Sequence, residues 1–230
     1  MLHLLYVSLL KEIAASPRSK VKRSTWGGKV PLSTYLISRG DVILTPSWHW
    51  HDHGHEGGAP MIWLDGLDLP MYQAIPVNFA QGYKEHRYPS LETPESMHKL
   101  PWKTVHCALA SIPGPYARYQ YLLPSGKPLS LIIGAEAERI DARMEAPRRR
   151  ETASFVYHVV EGTGRTVFDD GEVILWEKSD TFCIPAWKAH YHVNDCDETV
   201  YLFSFSDRPL LENLGMFRRE EGAHNVDGSV

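Results

Sequence analysis

The sequence predicts an all-β fold built from two related domains. From Ser154 onward, short runs of β-branched and aromatic residues follow one another closely, with Gly, Asp or Pro between them. This density of short strands is typical of a β-sandwich or barrel. A similar pattern begins at Trp26, after a start of different composition. With 230 residues and 43% hydrophobic content, the chain can bury a large core.

An internal repeat is the second observation that predicts two domains. The pattern Asp-x4-Pro-x-Trp-x2-His-x-His runs from Asp41 to His53 and again from Asp180 to His192, with identical internal spacing. Several matches at fixed offsets, one of them the rare residue tryptophan, are hard to ascribe to chance. The repeat therefore indicates two related β domains.

The individual elements are predicted from local composition. Residues 1–25 carry several Lys and Arg against the single acid Glu12, and they predict a short helix followed by a basic linker. Residues 69–101 are rich in Pro and Tyr and predict a long irregular connection. The other expected elements are strands at 42–45, 105–112, 119–123, 154–160, 164–168, 172–176, 181–184 and 199–205, a short helix or strand at 135–144, and a closing helix at 210–221.

Charge and cysteine content narrow the function classes. A formal net charge of -4 gives no electrostatic reason to expect nucleic acid or a membrane as partner, which favours a small ligand. No apolar run approaches the roughly 18 residues that cross a bilayer. Cys107, Cys183 and Cys196 are odd in number and lack CxxC spacing, so neither a disulfide framework nor a thiolate zinc site is expected. The expected compartment is cytoplasmic.

A histidine-rich stretch is the strongest functional signal. His49, His51, His53 and His55 recur at every second position, and alternate side chains of an extended strand share one face. This spacing suggests a metal site. Neighbouring imidazoles on one strand can hardly all reach a metal at about 2.1 Å, so a ligand set of His49, His51 and His53 is disfavoured.

Both copies of the repeat resemble the second conserved motif of the cupin barrel. The matching positions are Gly40, Pro46, His51 and His55 in the first copy, and Ser179, Pro185, His190 and Asn194 in the second. The first copy also contains TPSWHWHDHG followed by WLDGLD. These blocks resemble the gentisate 1,2-dioxygenase family, which includes salicylate and 1-hydroxy-2-naphthoate dioxygenases.

The resemblance covers roughly residues 28–218 and implies a bicupin fold with two double-stranded β-helix (jelly-roll) barrels, the first of them incomplete. The domain limits expected from it are a non-family segment at 1–25, a partial N-terminal cupin at 26–70, a connecting segment at 71–100, a C-terminal cupin without a metal site at 101–218, and a tail at 219–230.

The resemblance also implies a chemistry. Family members hold Fe(II) with three histidines, two from an HxH motif and the third at the position of His51. They cleave gentisate with O2 to maleylpyruvate. His53 and Asp65 match catalytic positions near the iron, and Trp63 matches the substrate pocket. His49 stands where the family commonly has Thr, so it is a weaker candidate ligand than His51.

The chain departs from the family at the remaining iron ligands. His3 is the one histidine before His49, and the corresponding region of the second copy, residues 147–152, contains no histidine. We therefore expect an N-terminally truncated family member, inactive as given, with two of the three Fe(II) ligands missing. The alternative is a catalytically dead bicupin fragment that acts as a binding or structural module. Expected partners are a small aromatic acid, O2 and further copies in a homo-oligomer.

Overall fold

The computed structural model describes residues 6–11, 19–25, 32–45, 49–55, 62–75, 90–92, 96 and 98–220. The chain divides into two compact units, Met1–Thr104 (unit 1) and Val105–Val230 (unit 2). The described elements up to the boundary are β1 Tyr6–Lys11, β2 Ser19–Thr25, β3 Leu32–Ile37, β4 Val42–Thr45, β5 His49–His55, β6 Ile62–Leu67, α1 Leu69–Ala74, β7 Ser90–Glu92, β8 Lys99–Leu100 and α2 Trp102–Ser111. Those that follow are β9 Tyr116–Gln120, β10 Gly134–Ile140, β11 Phe155–Glu161, β12 Thr163–Phe168, β13 Val173–Glu177, β14 Thr181–Ile184, β15 His190–Val193, β16 Val200–Ser206 and α3 Arg208–Asn213.

The described residues of unit 1 form two four-stranded sheets. Their strand orders are β6-β1-β4-β8 and β5-β2-β3-β7. The described pairs are antiparallel except for β3 and β7, which run parallel. All four residues of β4 are buried, as expected for a continuous apolar run with strands on both sides.

Unit 2 contains a five-stranded sheet, β14-β11-β16-β10-β9, and a three-stranded sheet, β13-β12-β15. Every described pair in these sheets is antiparallel. Phe155, Tyr157 and Val159 alternate along β11 and are all in the buried core, where Trp176 and Leu202 join them. The aromatic and β-branched residues explain why this segment forms a strand, and five of its seven residues are buried.

The two units share one strand plan. The orders β6-β1-β4 and β5-β2-β3 in unit 1 recur as β16-β11-β14 and β15-β12-β13 in unit 2. The pairing register recurs as well. Tyr6 lies opposite Thr45 and Leu67 as Phe155 lies opposite Ile184 and Ser206, and Val21 lies opposite Tyr35 and His53 as Thr166 lies opposite Ile174 and His192. The sequence repeat therefore corresponds to a repeated arrangement of six strands.

The repeat extends into the helix after the sixth strand. Asp68 precedes α1 with φ −84°, and Asp207 precedes α3 with φ −85°. Each helix has a proline in its first turn, Pro70 or Pro209, where a missing backbone N–H has no cost. None of the helices in the described residues is long and apolar enough to cross a membrane.

An aspartate turn starts the fourth strand of each copy. Asp41 Oδ2 accepts a hydrogen bond from Ser38 N at 2.9 Å, and Asp180 Oδ2 accepts one from Glu177 N at 2.9 Å. The residues before them, Gly40 and Ser179, have φ of 79° and 81°. The turn is thus the same in both copies, although Ser179 tolerates this conformation less well than glycine.

The all-β prediction and most strands from residue 154 onward agree with the structure, but three predictions are wrong. Residues 1–25 contain strands β1 and β2 where a helix and a linker were expected. Residues 105–112 fall largely within helix α2, whose buried Val105 and Leu109 are four apart on one helical face. The closing helix is α3, which ends at Asn213. The ambiguous segment 135–144 forms strand β10, and the expected irregular connection contains α1, β7 and β8, with 76–89 outside the described residues.

Replacing Asp41 by Ala should destabilise unit 1 far more than Asp180→Ala destabilises unit 2. Asp41 is 3% exposed, pairs with Lys99 at 3.0 Å and accepts from Trp102 N at 3.0 Å in addition to Ser38 N. Losing one partner of a buried ion pair costs about 3 kcal/mol or more, whereas the single turn bond of Asp180 contributes about 1 kcal/mol. Urea unfolding of both variants measures the difference, and equal losses would contradict the asymmetry.

Candidate functional site

Strand β5 carries the four histidines of the candidate site. The prediction that they lie on one extended strand is confirmed, because β5 spans His49–His55. His51 lies opposite Arg23 and His53 lies opposite Val21 on the neighbouring strand β2. The alternation places the four histidines on the same face of β5. The predicted roles of His49, His51 and His53 stay predictions.

The other two candidate residues lie on β6, in the second sheet of unit 1. Asp65 pairs in register with Ser8 of β1, and Trp63 pairs with Leu10. Because they are two residues apart, Trp63 and Asp65 share one face of β6. The side chain of Asp65 is exposed. The catalytic role predicted for Asp65 and the substrate contact predicted for Trp63 both remain predictions.

In unit 2, two buried histidines occupy the equivalent positions. His190 and His192 on β15 correspond to His51 and His53, and they are 3% and 2% exposed, with ring centroids 5.5 Å apart. His190 Nδ1 lies 3.0 Å from the carbonyl oxygen of Lys188. A carbonyl only accepts, so Nδ1 carries the proton and Nε2 is a free acceptor in the neutral ring. Among the described residues, neither Nε2 has a hydrogen-bond partner.

Thr166 holds the second of these rings. Its hydroxyl lies 2.8 Å from His192 Nδ1 and accepts a hydrogen bond from Trp176 Nε1 at 3.0 Å. Burial, and then the charge of Arg149, lower the pKa of His192 to about 3. Burial, followed by His192, lowers the pKa of His190 to about 3 as well. Both imidazoles are therefore neutral at pH 7.

A buried charge network lies beside these rings in unit 2. Arg149 donates to Glu136 Oε2 at 2.9 Å and to both oxygens of Glu151 at 3.1 and 3.2 Å. Its guanidinium carbon lies 4.1 Å from the centroid of the Phe155 ring. Burial alone raises the pKa of Glu136, but the charges of Arg149 and Arg118 outweigh it and lower the pKa to about 2. Glu136 is therefore ionised, and Arg149 is the cation that compensates it.

A third carboxylate completes the network. Glu138 accepts hydrogen bonds from the hydroxyls of Tyr116 at 3.1 Å and Tyr157 at 3.3 Å, and it lies 3.7 Å from Arg149 Nη1. The interior next to His190 thus already contains a fixed cation. The guanidinium occupies oxygens of Glu136 and Glu151 that could otherwise bind a cation. The expectation of a C-terminal cupin without a metal site stays a prediction.

The described side chains do not complete an iron site. No group of three His, Cys, Asp or Glu among them is placed to hold a metal ion. The basic composition of residues 147–152 does not predict that the Arg149 side chain lies in the interior of unit 2. The available signal was on another strand, where Glu136 and Glu138 alternate with small or apolar residues along β10 and are both buried.

Replacing Arg149 by Met should unfold the chain at lower urea concentration. The substitution removes the cation from three buried carboxylates, and uncompensated buried charge typically costs about 3–5 kcal/mol. Arg143→Met is the matched control, because Arg143 forms an exposed pair with Asp197. We expect the control to leave the urea midpoint unchanged. A similar midpoint for Arg149→Met and the wild type would contradict a compensating role for Arg149.

As the pH falls, protonation of His190 and His192 should destabilise the protein at a higher pH than protonation of Glu136 does. The pKa of each histidine falls from 6.5 when unfolded to about 3 when folded, so the unfolded state binds more protons as pH drops below 6.5. Stability is complete above pH 6.5 and is lost progressively towards pH 3. Between pH 6.5 and 4.5, His192→Gln should flatten the slope of unfolding free energy against pH. Parallel slopes for the variant and the wild type would contradict the burial of a neutral ring.

Comparison with known proteins identifies relatives of the chain. No protein-family model matches it. It is 31% identical over 209 residues to gentisate 1,2 dioxygenase 1 of Aquipseudomonas alcaligenes, covering 78% of this chain and 59% of that protein. It is 28% identical over 215 residues to 5-aminosalicylate 1,2-dioxygenase of a Comamonas species, covering 80% and 57%. The chain thus spans less than two thirds of the length of these curated relatives.

A solved structure matches almost the whole chain. Salicylate 1,2-dioxygenase from Pseudaminobacter salicylatoxidans superposes with a TM-score of 0.79 at 26% identity, covering 97% of this chain and 70% of that one. These matches confirm the resemblance to the gentisate 1,2-dioxygenase family and the all-β cupin fold class.

Proposed function

We propose that this protein serves Fe(II)-dependent ring cleavage of a small aromatic acid by O2, with gentisate as the favoured substrate and maleylpyruvate as the product. The observation that carries the proposal is the position of the two family blocks in the fold. The blocks TPSWHWHDHG and WLDGLD supply β5 and β6, two strands of unit 1 in different sheets. The relatives named above are dioxygenases of gentisate and related acids.

His51 is the residue that we assign to the iron. Its register equals that of His190, whose ring is buried in the interior of unit 2. A neutral imidazole is a suitable iron ligand, and the bound iron would supply the site for the substrate chelate and for O2. One matched imidazole is a third of the family ligand set, so the positions present do not fit a complete iron site.

The substrate-facing roles go to His53, Asp65 and Trp63. His53 can orient a phenol hydroxyl or exchange a proton with it, and the Asp65 carboxylate can accept a hydrogen bond from a hydroxyl or from an imidazole. Trp63 shares the β6 face of Asp65 and offers an aromatic surface to the substrate ring. The compartment that we propose is the cytoplasm, which agrees with the three free cysteines. We further propose that the protein forms a homo-oligomer.

The 230-residue chain alone should lack activity, and a chimera should regain it. Anaerobic reconstitution of the chain with Fe(II) is expected to give little bound iron and no O2 uptake with gentisate, because tight binding needs the missing imidazoles. Joining the amino-terminal HxH segment of the Aquipseudomonas alcaligenes enzyme to this chain should restore both. In that chimera, His51→Ala should abolish uptake, whereas His190→Ala should retain it.

Two outcomes would contradict this assignment. One is O2 uptake by the unmodified chain, which would place a full ligand set within it. The other is a folded, iron-loaded chimera whose activity survives His51→Ala.

A second candidate function is a catalytically inactive module that binds a partner or supports an assembly. The observation that favours it is the charge network around Arg149, which gives unit 2 a cation of its own in place of a metal site. An iron-loaded chimera that takes up no O2 with gentisate, salicylate or hydroxynaphthoate would support this alternative.

A further inference from the structure

Strand β14 of unit 2 has an open outer edge beside an acidic depression. β14 is the first strand of its sheet, and within the described residues no strand pairs with its outer side. A depression of about 430 Å³ lies at the turn that leads into β14. Its lining includes the acids Glu177, Asp180 and Asp195 and the apolar surface of Leu175, which is 78% exposed.

The equivalent place in unit 1 is filled by a segment of the chain itself. Strand β8 pairs with the outer edge of β4, and Leu44 N donates to the carbonyl of His98 at 2.8 Å. Lys99 Nζ lies 3.0 Å from Asp41, and Trp102 N donates to the same carboxylate at 3.0 Å.

Trp102 packs directly on the aspartate turn of unit 1. A Cβ placed on Gly40 would lie 2.8 Å from Trp102 Cγ, which shows how closely the indole covers the turn. In unit 2, the equivalent turn positions Glu177 and Asp180 line the depression instead. The segment 98–102 therefore supplies a backbone partner, a lysine for the aspartate and an aromatic ring for the turn.

Strands β4 and β14 also differ in how far their side chains are exposed. Val42 and Leu44 of β4 are 0% and 2% exposed, while their counterparts Thr181 and Cys183 of β14 are both exposed. Both strands keep the same pairing to their inner neighbours, β1 and β11. Among the described residues, β4 has the partner strand β8 at its outer edge, and β14 has none.

We propose that the open edge of β14 and the depression bind an extended segment of a partner protein that carries a lysine. The backbone of that segment pairs with β14 as β8 pairs with β4. Its lysine meets Asp180 and Glu177, and a residue smaller than tryptophan stands three positions later, because Ser179 has a Cβ where Gly40 leaves room for the indole. Strand addition supplies affinity through main-chain hydrogen bonds, and the side-chain sites supply specificity. The proposal does not depend on ring cleavage.

A synthetic peptide with the sequence SMHKLPAK, which is that of residues 96–103 with alanine in place of Trp102, is the probe. Labelled at its amino terminus, it should bind the full chain saturably in fluorescence anisotropy, and a scrambled peptide should not. Replacing its first lysine by norleucine should weaken binding at least fivefold. Asp180→Asn, which keeps an oxygen for the turn bond, should cause a similar loss, and the two changes together should lose less than the product of both.

Cys183→Pro tests the backbone pairing. Cys183 N corresponds to Leu44 N, which points to the outer strand, so proline removes an outward donor and leaves the ladder to β11 in place. This variant should abolish peptide binding with an unchanged circular dichroism spectrum. Glu212→Gln, an exposed acid of helix α3 that does not line the depression, is the control and should bind as the wild type does.

Several results would overturn the proposal. They are equal affinity for the scrambled peptide, an affinity insensitive to the norleucine peptide, and binding that survives Asp180→Asn and Cys183→Pro in folded protein. Self-association that Cys183→Pro disrupts, seen by analytical ultracentrifugation without peptide binding, would assign the edge to a second copy instead. If a protein variant fails to fold, the norleucine peptide still tests the proposal with the wild-type protein.

Discussion

The pairing register of the histidine strand is the constraint on which the rest of the site depends. In β5 and in β15, the histidines two apart share a face, and pairing with the neighbouring strand fixes which side of the sheet that face is on, since a slip of one residue moves every side chain to the other side. The same register in both units gives His51 and His190 one structural position. Because these two positions are equivalent, the side chains of unit 2 are a guide to the site proposed in unit 1.

The two copies have diverged around that shared position. Unit 2 keeps both histidines but buries them as neutral rings beside Arg149, which forms ion pairs with three carboxylates. These ion pairs occupy carboxylate oxygens that could otherwise bind a cation. The proposed chemistry belongs to unit 1, where the family blocks lie. The outer strands also differ, because among the described strands β4 has a partner at its outer edge and β14 has none.

The repeat and the strand alternation made much of unit 2 predictable from sequence. Predictions from local sequence patterns were wrong where pairing with distant strands determines the conformation. Strand β2 is rich in Lys, Arg and Ser, so composition suggested a linker, yet its backbone bonds to β3 and β5 set its conformation. The apolar run in α2 fits a strand or a helix equally well over so few residues. Arg149 stands between two other arginines, and only its pairing with Glu136 and Glu151 shows which of the three faces inward.

Anomalous diffraction at the iron absorption edge tests the central claim most directly. The measurement uses anaerobic, Fe(II)-loaded crystals of the chimera that supplies the HxH segment. The account predicts a single strong anomalous peak next to His51 of β5 and no peak next to His190 or His192. A peak beside the two histidines of β15, with none at β5, would contradict it.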